Sequence, residues 1–168
     1  MSDVLGIVAE YNPFHNGHLY HIRKAKEKSG AKYVVCVMSG NFVQRGNTSI
    51  VDKWTKAKMA LANEVDLIIE LPTIYSVSSA ESFAQGAIKI LHNIGIVDTI
   101  SFGTETDDFA ALNNISKIIA EEPKEYVNIL KEELNKGVSF PKAREIALIN
   151  YLNDDIRYKN ILNNPNNI

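Results

Sequence analysis

Val4-Leu5-Gly6-Ile7-Val8-Ala9, followed by Glu10-Tyr11-Asn12-Pro13-Phe14-His15-Asn16-Gly17-His18, is the stretch on which the fold turns. Its first six residues are almost wholly apolar and stop at Glu10, the pattern of a strand buried on both faces. Leu19, Ile22 and Ala25 share one helical face before Gly30 closes the segment. A strand running through a short turn into a helix is the opening half of a βαβ unit.

Further along, the pattern repeats. Tyr33–Met38, Leu67–Leu71 and Ile96–Phe102 read as three more buried strands, the last interrupted by Asp98, Thr99 and Ser101. Ala57, Ala60 and Leu61 mark a helix between the second and third. Phe83, Ala84, Ala87, Ile88 and Leu91 mark another, with Gly95 as its C-terminal stop. The expectation is an α/β fold on a parallel sheet with helices on both faces. After Phe102 the strand pattern ceases. Leu112, Ile115 and Ile118, then Val127, Leu130 and Leu134, then Ala143, Ile146 and Ala147 behind Ser139 mark three helices, separated at Pro123 and Gly137. The expected organisation is an α/β core over 1–104, a helical segment packed on it over 105–152, and a linker over 153–168, where Asn and Asp dominate.

Composition narrows the class. The chain has 168 residues, 45 % of them hydrophobic and 23 % charged, with net charge −2. These are ordinary values for a globular protein. No apolar run approaches the ~20 residues that span a bilayer. Asp3 stands where a secretory leader has basic residues, so no membrane and a cytoplasmic location are expected. One cysteine, Cys36, excludes an internal disulfide framework and a Cys-rich zinc site. Cys36 lies in an apolar run and reads as a buried thiol. Charge is uneven: Arg45, Lys53, Lys56 and Lys58 cluster, while Glu105, Asp107, Asp108, Glu121, Glu122, Glu132 and Glu133 come later. RNA contact is then expected on one face only, or through sequence outside these residues.

His15-x-Gly17-His18 carries the chemistry. It follows the first strand and opens the first helix, where open parallel sheets bind ligands. A helix N-terminus offers free N–H groups and a positive dipole end to phosphate. Gly17 removes a side chain where backbone must approach a nucleotide. Two imidazoles can donate to phosphate oxygens as charge builds at an α-phosphorus and a leaving pyrophosphate. Two histidines three apart without a nearby Cys make a poor zinc site, and no metal held by the protein is expected.

His15-Asn16-Gly17-His18 resembles the HxGH motif of the nucleotidylyltransferase superfamily. The longer stretch Glu10–His21 resembles the bacterial tRNA(Met) cytidine acetate ligases. So do Val37–Gly46, Lys53-Trp54, Asp66–Pro72, Ser101-Phe102-Gly103-Thr104-Glu105 and Pro165-Asn166-Asn167-Ile168. The resemblance runs along nearly the whole chain, and it implies a Rossmann-like sheet of nucleotidylyltransferase type followed by an all-helical segment. It implies ATP-dependent acetylation of the wobble cytidine of elongator tRNA(Met) through acetyl-adenylate. ATP enters as substrate with Mg²⁺, and no organic prosthetic group is needed; acetate and tRNA(Met) are the other partners. His15 and His18 are the implied catalytic residues. The implied ATP contacts are Val8, Ala9, Glu10, Tyr11, Asn12, Pro13, Phe14, His15, Asn16, Gly17, His18, Leu19, Tyr20, His21, Gly103 and Asn166.

A second basic motif, Ser-x-x-Ile-Arg-like, which the superfamily places on the far side of ATP, is not found in these residues. The chain is therefore expected to be the N-terminal catalytic part of a longer enzyme. The alternatives are a coenzyme-type adenylyltransferase, or a nucleotide-binding domain without turnover.

Other residues have two readings each. Arg45, Lys53 and Lys56 are candidates for phosphate or tRNA contact, against a solvated basic face. Ser39-Gly40-Asn41-Phe42 lines the ligand edge or is a plain turn. Trp54 stacks on a base or, the favoured reading, packs in the core. Glu70 orients a metal-bound water or a ribose hydroxyl, or forms a salt bridge. His92 reads as structural.

Overall fold

Four parallel strands, β1 (Val4–Ala9), β2 (Tyr33–Ser39), β3 (Leu67–Leu71) and β4 (Thr99–Ser101), form one sheet in the order β3-β2-β1-β4. The computed structural model describes residues 3–104, 106–153 and 155–162. β2 lies inside the sheet, and Val34 to Ser39 are all buried. Its side chains alternate between two cores, as a strand's period of two requires. Val34, Cys36 and Met38 join Leu5 and Ile7 against α1 (Asn16–Ser29) and α2 (Lys53–Leu61), represented by Ile22, Ala25 and Ala60. Val35 and Val37 face the opposite side, with Phe83, Ala87 and Leu91 of α4 (Ala80–Asn93). The short helix α3 (Thr73–Ser76) precedes α4. Helices therefore cover both faces.

The edge strands depart from the expected double burial. β3 exposes Leu67 at 43 % and also Glu70, leaves Ile68 and Ile69 half-buried, and buries only Leu71. β4 is confined to three residues, shorter than the expected Ile96–Phe102. Asp98, inside that run, has another task. Its carboxylate accepts the amides of Asp3 at 2.9 Å and Val4 at 3.0 Å, tying the start of β1 to the entry of β4. Phe102 is 62 % exposed, outside the ladder.

The order of connection matters for function. The chain moves outward from β1 to β2 to β3, then returns through α4 to place β4 on the other side of β1. Between β1 and β4 the sequence reverses direction across the sheet, and such a switch point opens a crevice at the carboxyl ends of the strands.

The chain divides into two compact units, Met1–Gly103 and Thr104–Ile168. The second is helical: α5 (Phe109–Glu121), α6 (Lys124–Asn135), α7 (Phe140–Tyr151) and α8 (Ile156–Leu162). Leu112, Ile115, Ile118, Tyr126, Ala147, Leu148, Ile161 and Leu162 form its core. Ser139 stands at the N-cap of α7 without a side-chain bond. Within the stretch read as linker, residues 156–162 instead form α8. Ile161 and Leu162 are buried, and Tyr158 accepts a hydrogen bond from Asn114 Nδ2 at 2.9 Å.

Candidate nucleotide site

β1 delivers the chain to the carboxyl edge at Ala9. Tyr11 then takes φ +45°, a left-handed conformation that is rare for a bulky residue. Its ring is only 2 % exposed and meets Phe14 and His18, each at a centroid distance of 4.8 Å. Burial raises the Tyr11 hydroxyl far above its ordinary pKa and pushes the neighbouring Cys36 thiol up to about 12. Cys36 is the inert, buried thiol expected.

His15 is the N-cap of α1, with extended backbone. Its Nδ1 accepts the Gly17 amide at 3.1 Å, and His18 Nδ1 accepts the His15 amide at 3.2 Å. The two rings stack with centroids 3.6 Å apart. This is a reciprocal capping box made of histidines in place of the usual Ser/Thr and Glu/Gln. An Nδ1 that accepts leaves the proton of a neutral imidazole on Nε2. Each ring therefore has an Nε2–H to donate. Burial and the neighbouring imidazoles of His15 and His21 lower the His18 pKa, which favours that neutral form.

The cap takes up one donor of the helix start: the Gly17 N–H is engaged by His15 Nδ1. Gly17 fits closely against its own neighbour: an added Cβ would lie 3.0 Å from His15 Cε1, so the imidazole would have to shift.

The rest of the Val8–His21 stretch is arranged as follows. Val8 and Ala9 pack against the two cores. Glu10 Oε1 accepts the Gln44 amide at 2.7 Å. Asn12 Oδ1 accepts Ser49 Oγ at 2.9 Å and the Ile50 amide at 2.7 Å. Pro13 follows a cis peptide bond. Phe14 is half-buried on the core, Asn16 is exposed, Leu19 half-buried and Tyr20 exposed. His21 Nε2 is 2.9 Å from Ser101 Oγ at the end of β4, and burial lowers its pKa. Gly103 lies two residues beyond Ser101, exposed, with open space where a Cβ would be. His21 of α1 and the β4 end thus meet, one helical turn beyond His18. Asn166 lies outside the described residues.

The basic cluster does not act as one. Arg45 is exposed and takes φ +65° in a short 3₁₀ turn, Gln44–Gly46. Lys53 pairs with Glu70 at 2.8 Å, the salt-bridge reading of Glu70. Lys56 is fully buried, which removes it as a tRNA contact. Its Nζ donates to Glu10 O at 3.0 Å and Ser39 Oγ at 3.3 Å. Trp54 is 69 % exposed, against the expectation of core packing, with Lys53 Nζ 5.3 Å from its ring. It lines a cleft of about 400 Å³ with Ser39, Gly40, Leu61 and Leu67, to which no described histidine contributes. Sequence reasoning missed the bracket formed by Asn12 and the contact of His21 with Ser101. It also missed Lys56, although the 56/60 spacing places that residue on the face of Ala60.

A family model described as HIGH Nucleotidyl Transferase matches residues 2–168. Two curated tRNA(Met) cytidine acetate ligases are similar. That of Acetivibrio thermocellus is 54 % identical, over 98 % of this chain and 40 % of its own. That of Clostridium novyi is 51 % identical, over 99 % of this chain and 42 % of its own. A crystal structure of Thermotoga maritima TmcAL bound with alpha-thio ATP is 46 % identical with a TM-score of 0.87, covering 90 % of this chain and 36 % of that one. Its apo form gives a TM-score of 0.88. The chain thus spans about two fifths of the length of these relatives.

Proposed function

The chain belongs to the HIGH nucleotidyl transferase family, and we propose that it is the ATP-handling part of a tRNA(Met) cytidine acetate ligase. The observation that carries this reading is the reciprocal cap of His15 and His18 where β1 runs into α1, with His21 of the same helix bonded to the end of β4. In the first step an acetate oxygen attacks the α-phosphorus of ATP. The bond to the bridging oxygen breaks, and pyrophosphate leaves with the electron pair. The Nε2–H groups of His15 and His18 donate to phosphate oxygens on which charge grows, which lowers the barrier without a covalent enzyme intermediate. In the second step the exocyclic amine of a tRNA cytidine attacks the acetyl carbon, AMP departs, and the amine loses a proton.

Val8 to His21 and Gly103 form the nucleotide contacts in this reading, with Asn166 added from the resemblance. Arg45 stays a candidate for phosphate contact, since its side chain is exposed. Mg²⁺ enters as part of the ATP substrate. Among the described residues no group of three His, Cys, Asp or Glu side chains is placed to hold a metal ion. A tRNA substrate puts the proposed reaction in the cytoplasm, and no described helix is long and apolar enough to cross a membrane.

ATP–pyrophosphate exchange tests the reading, first with ATP alone, then with acetate, then with tRNA added. Exchange that requires acetate is the expected result. Transfer of AMP to a phosphorylated coenzyme precursor without acetate would replace the reading by a coenzyme adenylyltransferase. ATP binding without exchange would leave a nucleotide-binding domain only.

A further inference from the structure

Lys56 is a charged side chain with no exposed surface, on a helix that otherwise uses small residues to meet the sheet. Burying an ammonium is expensive unless strong partners replace water. Here the two partners are a backbone carbonyl and a hydroxyl, at the ends of two adjacent strands. The charges that face it belong to Glu10 and Glu70, and burial lowers its pKa against their pull. Lys56 thus joins α2 to the carboxyl ends of β1 and β2, at the edge where the nucleotide site lies.

The carbonyl it holds is the one that matters for the turn. Glu10 O belongs to the peptide plane preceding Tyr11, and that plane sets φ of Tyr11. A left-handed aromatic persists only where its surroundings over-determine it. Three sets of bonds do so. Lys56 grips the Glu10 carbonyl, Gln44 N donates to the Glu10 carboxylate, and Ser49 and Ile50 donate to Asn12. The Tyr11 ring, fixed in this way, packs against His18, whose Nδ1 closes the cap on His15.

We propose that Lys56 is a positioning residue for the nucleotide site: its ammonium fixes the Glu10–Tyr11 turn and thereby aims the His15–His18 cap at the phosphates. This rests on the functional reading above. The proposal separates two parts of the nucleotide. The phosphates meet the turn and the helix start, whereas a nucleoside without phosphates relies on the β4 side at Gly103.

Isothermal titration of the chain with ATP and with adenosine tests it, in wild type, Lys56→Met and Lys56→Arg. Methionine keeps much of the volume and removes the charge and donors; arginine keeps both. Lys56→Met is expected to lose about tenfold in ATP affinity, the size of one hydrogen bond to a charged group, with adenosine binding unchanged. Lys56→Arg is expected to restore most of the loss. Three outcomes overturn the proposal: ATP affinity intact in Lys56→Met, equal losses for ATP and adenosine, or no rescue by arginine. If Lys56→Met fails to fold, Ser39→Ala, which removes one acceptor, is expected to give a smaller loss confined to ATP. No loss there also overturns it. A wild-type chain that binds neither nucleotide overturns the functional reading itself, and this proposal with it.

Discussion

At His18 the Nδ1 atom is committed to the amide of His15, so the proton of the neutral ring belongs to Nε2, the donor of the proposed chemistry. His18→Ala removes that donor while leaving most nucleotide contacts in place. In acetate-dependent pyrophosphate exchange its rate is expected to fall about a hundredfold, the cost of roughly 3 kcal/mol for one transition-state donor. ATP affinity should change far less, because the donor acts on charge that develops in the transition state. Near-normal exchange would remove His18 from the chemistry. The same ring gives a pH dependence. Burial lowers the pKa of both His18 and His21, so the unfolded chain binds protons more readily than the folded one. Stability from these groups is complete above the unfolded value, about 6.5. It is lost as pH falls from there through the lowered folded values. Protonation also destroys the Nδ1 acceptor that caps α1. Urea titrations between neutral and mildly acidic pH should show this decline, and His18→Ala with His21→Ala should flatten it. An unchanged slope in the double variant would show that other groups dominate.

β1 illustrates how an element is fitted to its neighbours. Gly6 lies beneath α4, where an added Cβ would come within 2.8 Å of Val97 Cγ1 and 3.1 Å of Leu91 Cδ1. Gly6→Ala should therefore destabilise the first unit by about 1–3 kcal/mol, the usual cost of overpacking. Gly40→Ala should cost less, because its Cβ meets the flexible Glu70 carboxylate. Chemical denaturation of both variants checks the order; equal costs would contradict this packing. Such fits mark the limit of what sequence could convey. Buried runs and helical stripes announced the four strands and their helices, because burial period is written directly in residue type. The histidine pair was legible by its position between strand and helix. Its cap was not, since imidazoles rarely play the part of Ser and Glu at those positions. Gly17 has a further constraint that sequence did not reveal, the His15 ring beside it. Lys56 and Trp54 exchanged their expected places, because charge and aromaticity predict average burial and cannot see which side of α2 meets the sheet. β4 was overextended because Asp98 looked like an interruption instead of a bridge to β1. α8 was hidden by the Asn and Asp residues before it, which outweighed Ile156, Ile161 and Leu162.

For the whole chain the open question is how much of a tRNA its surface can hold. Net charge is −2, and the later segment contributes most of a run of acids. The compact basic group between Arg45 and Lys58 supplied the argument for an RNA-binding face, and the structure thins it. Lys56 is buried, and Lys53 is engaged by Glu70. Arg45 and Lys58 are the members left without such ties among the described residues. Affinity for nucleic acid falls with salt in proportion to the phosphates neutralised, with a logarithmic slope of about −0.9 for each in a duplex. Two or three contacts would cost roughly 10- to 40-fold in affinity between 50 and 200 mM salt, whereas six to ten would cost about 10³- to 10⁵-fold. The 168-residue chain is expected to show the smaller loss and weak binding throughout. Filter binding of tRNA(Met) at the two salt concentrations measures it. Arg45→Ala should flatten the slope by about one contact if that residue meets phosphate. Lys56→Met should leave the slope alone, since a buried ammonium releases no counterion. A steep slope in wild type would mean that this chain carries a phosphate-binding surface the basic cluster does not account for, and α1, with Arg23, Lys24, Lys26 and Lys28, would then be the place to search for it.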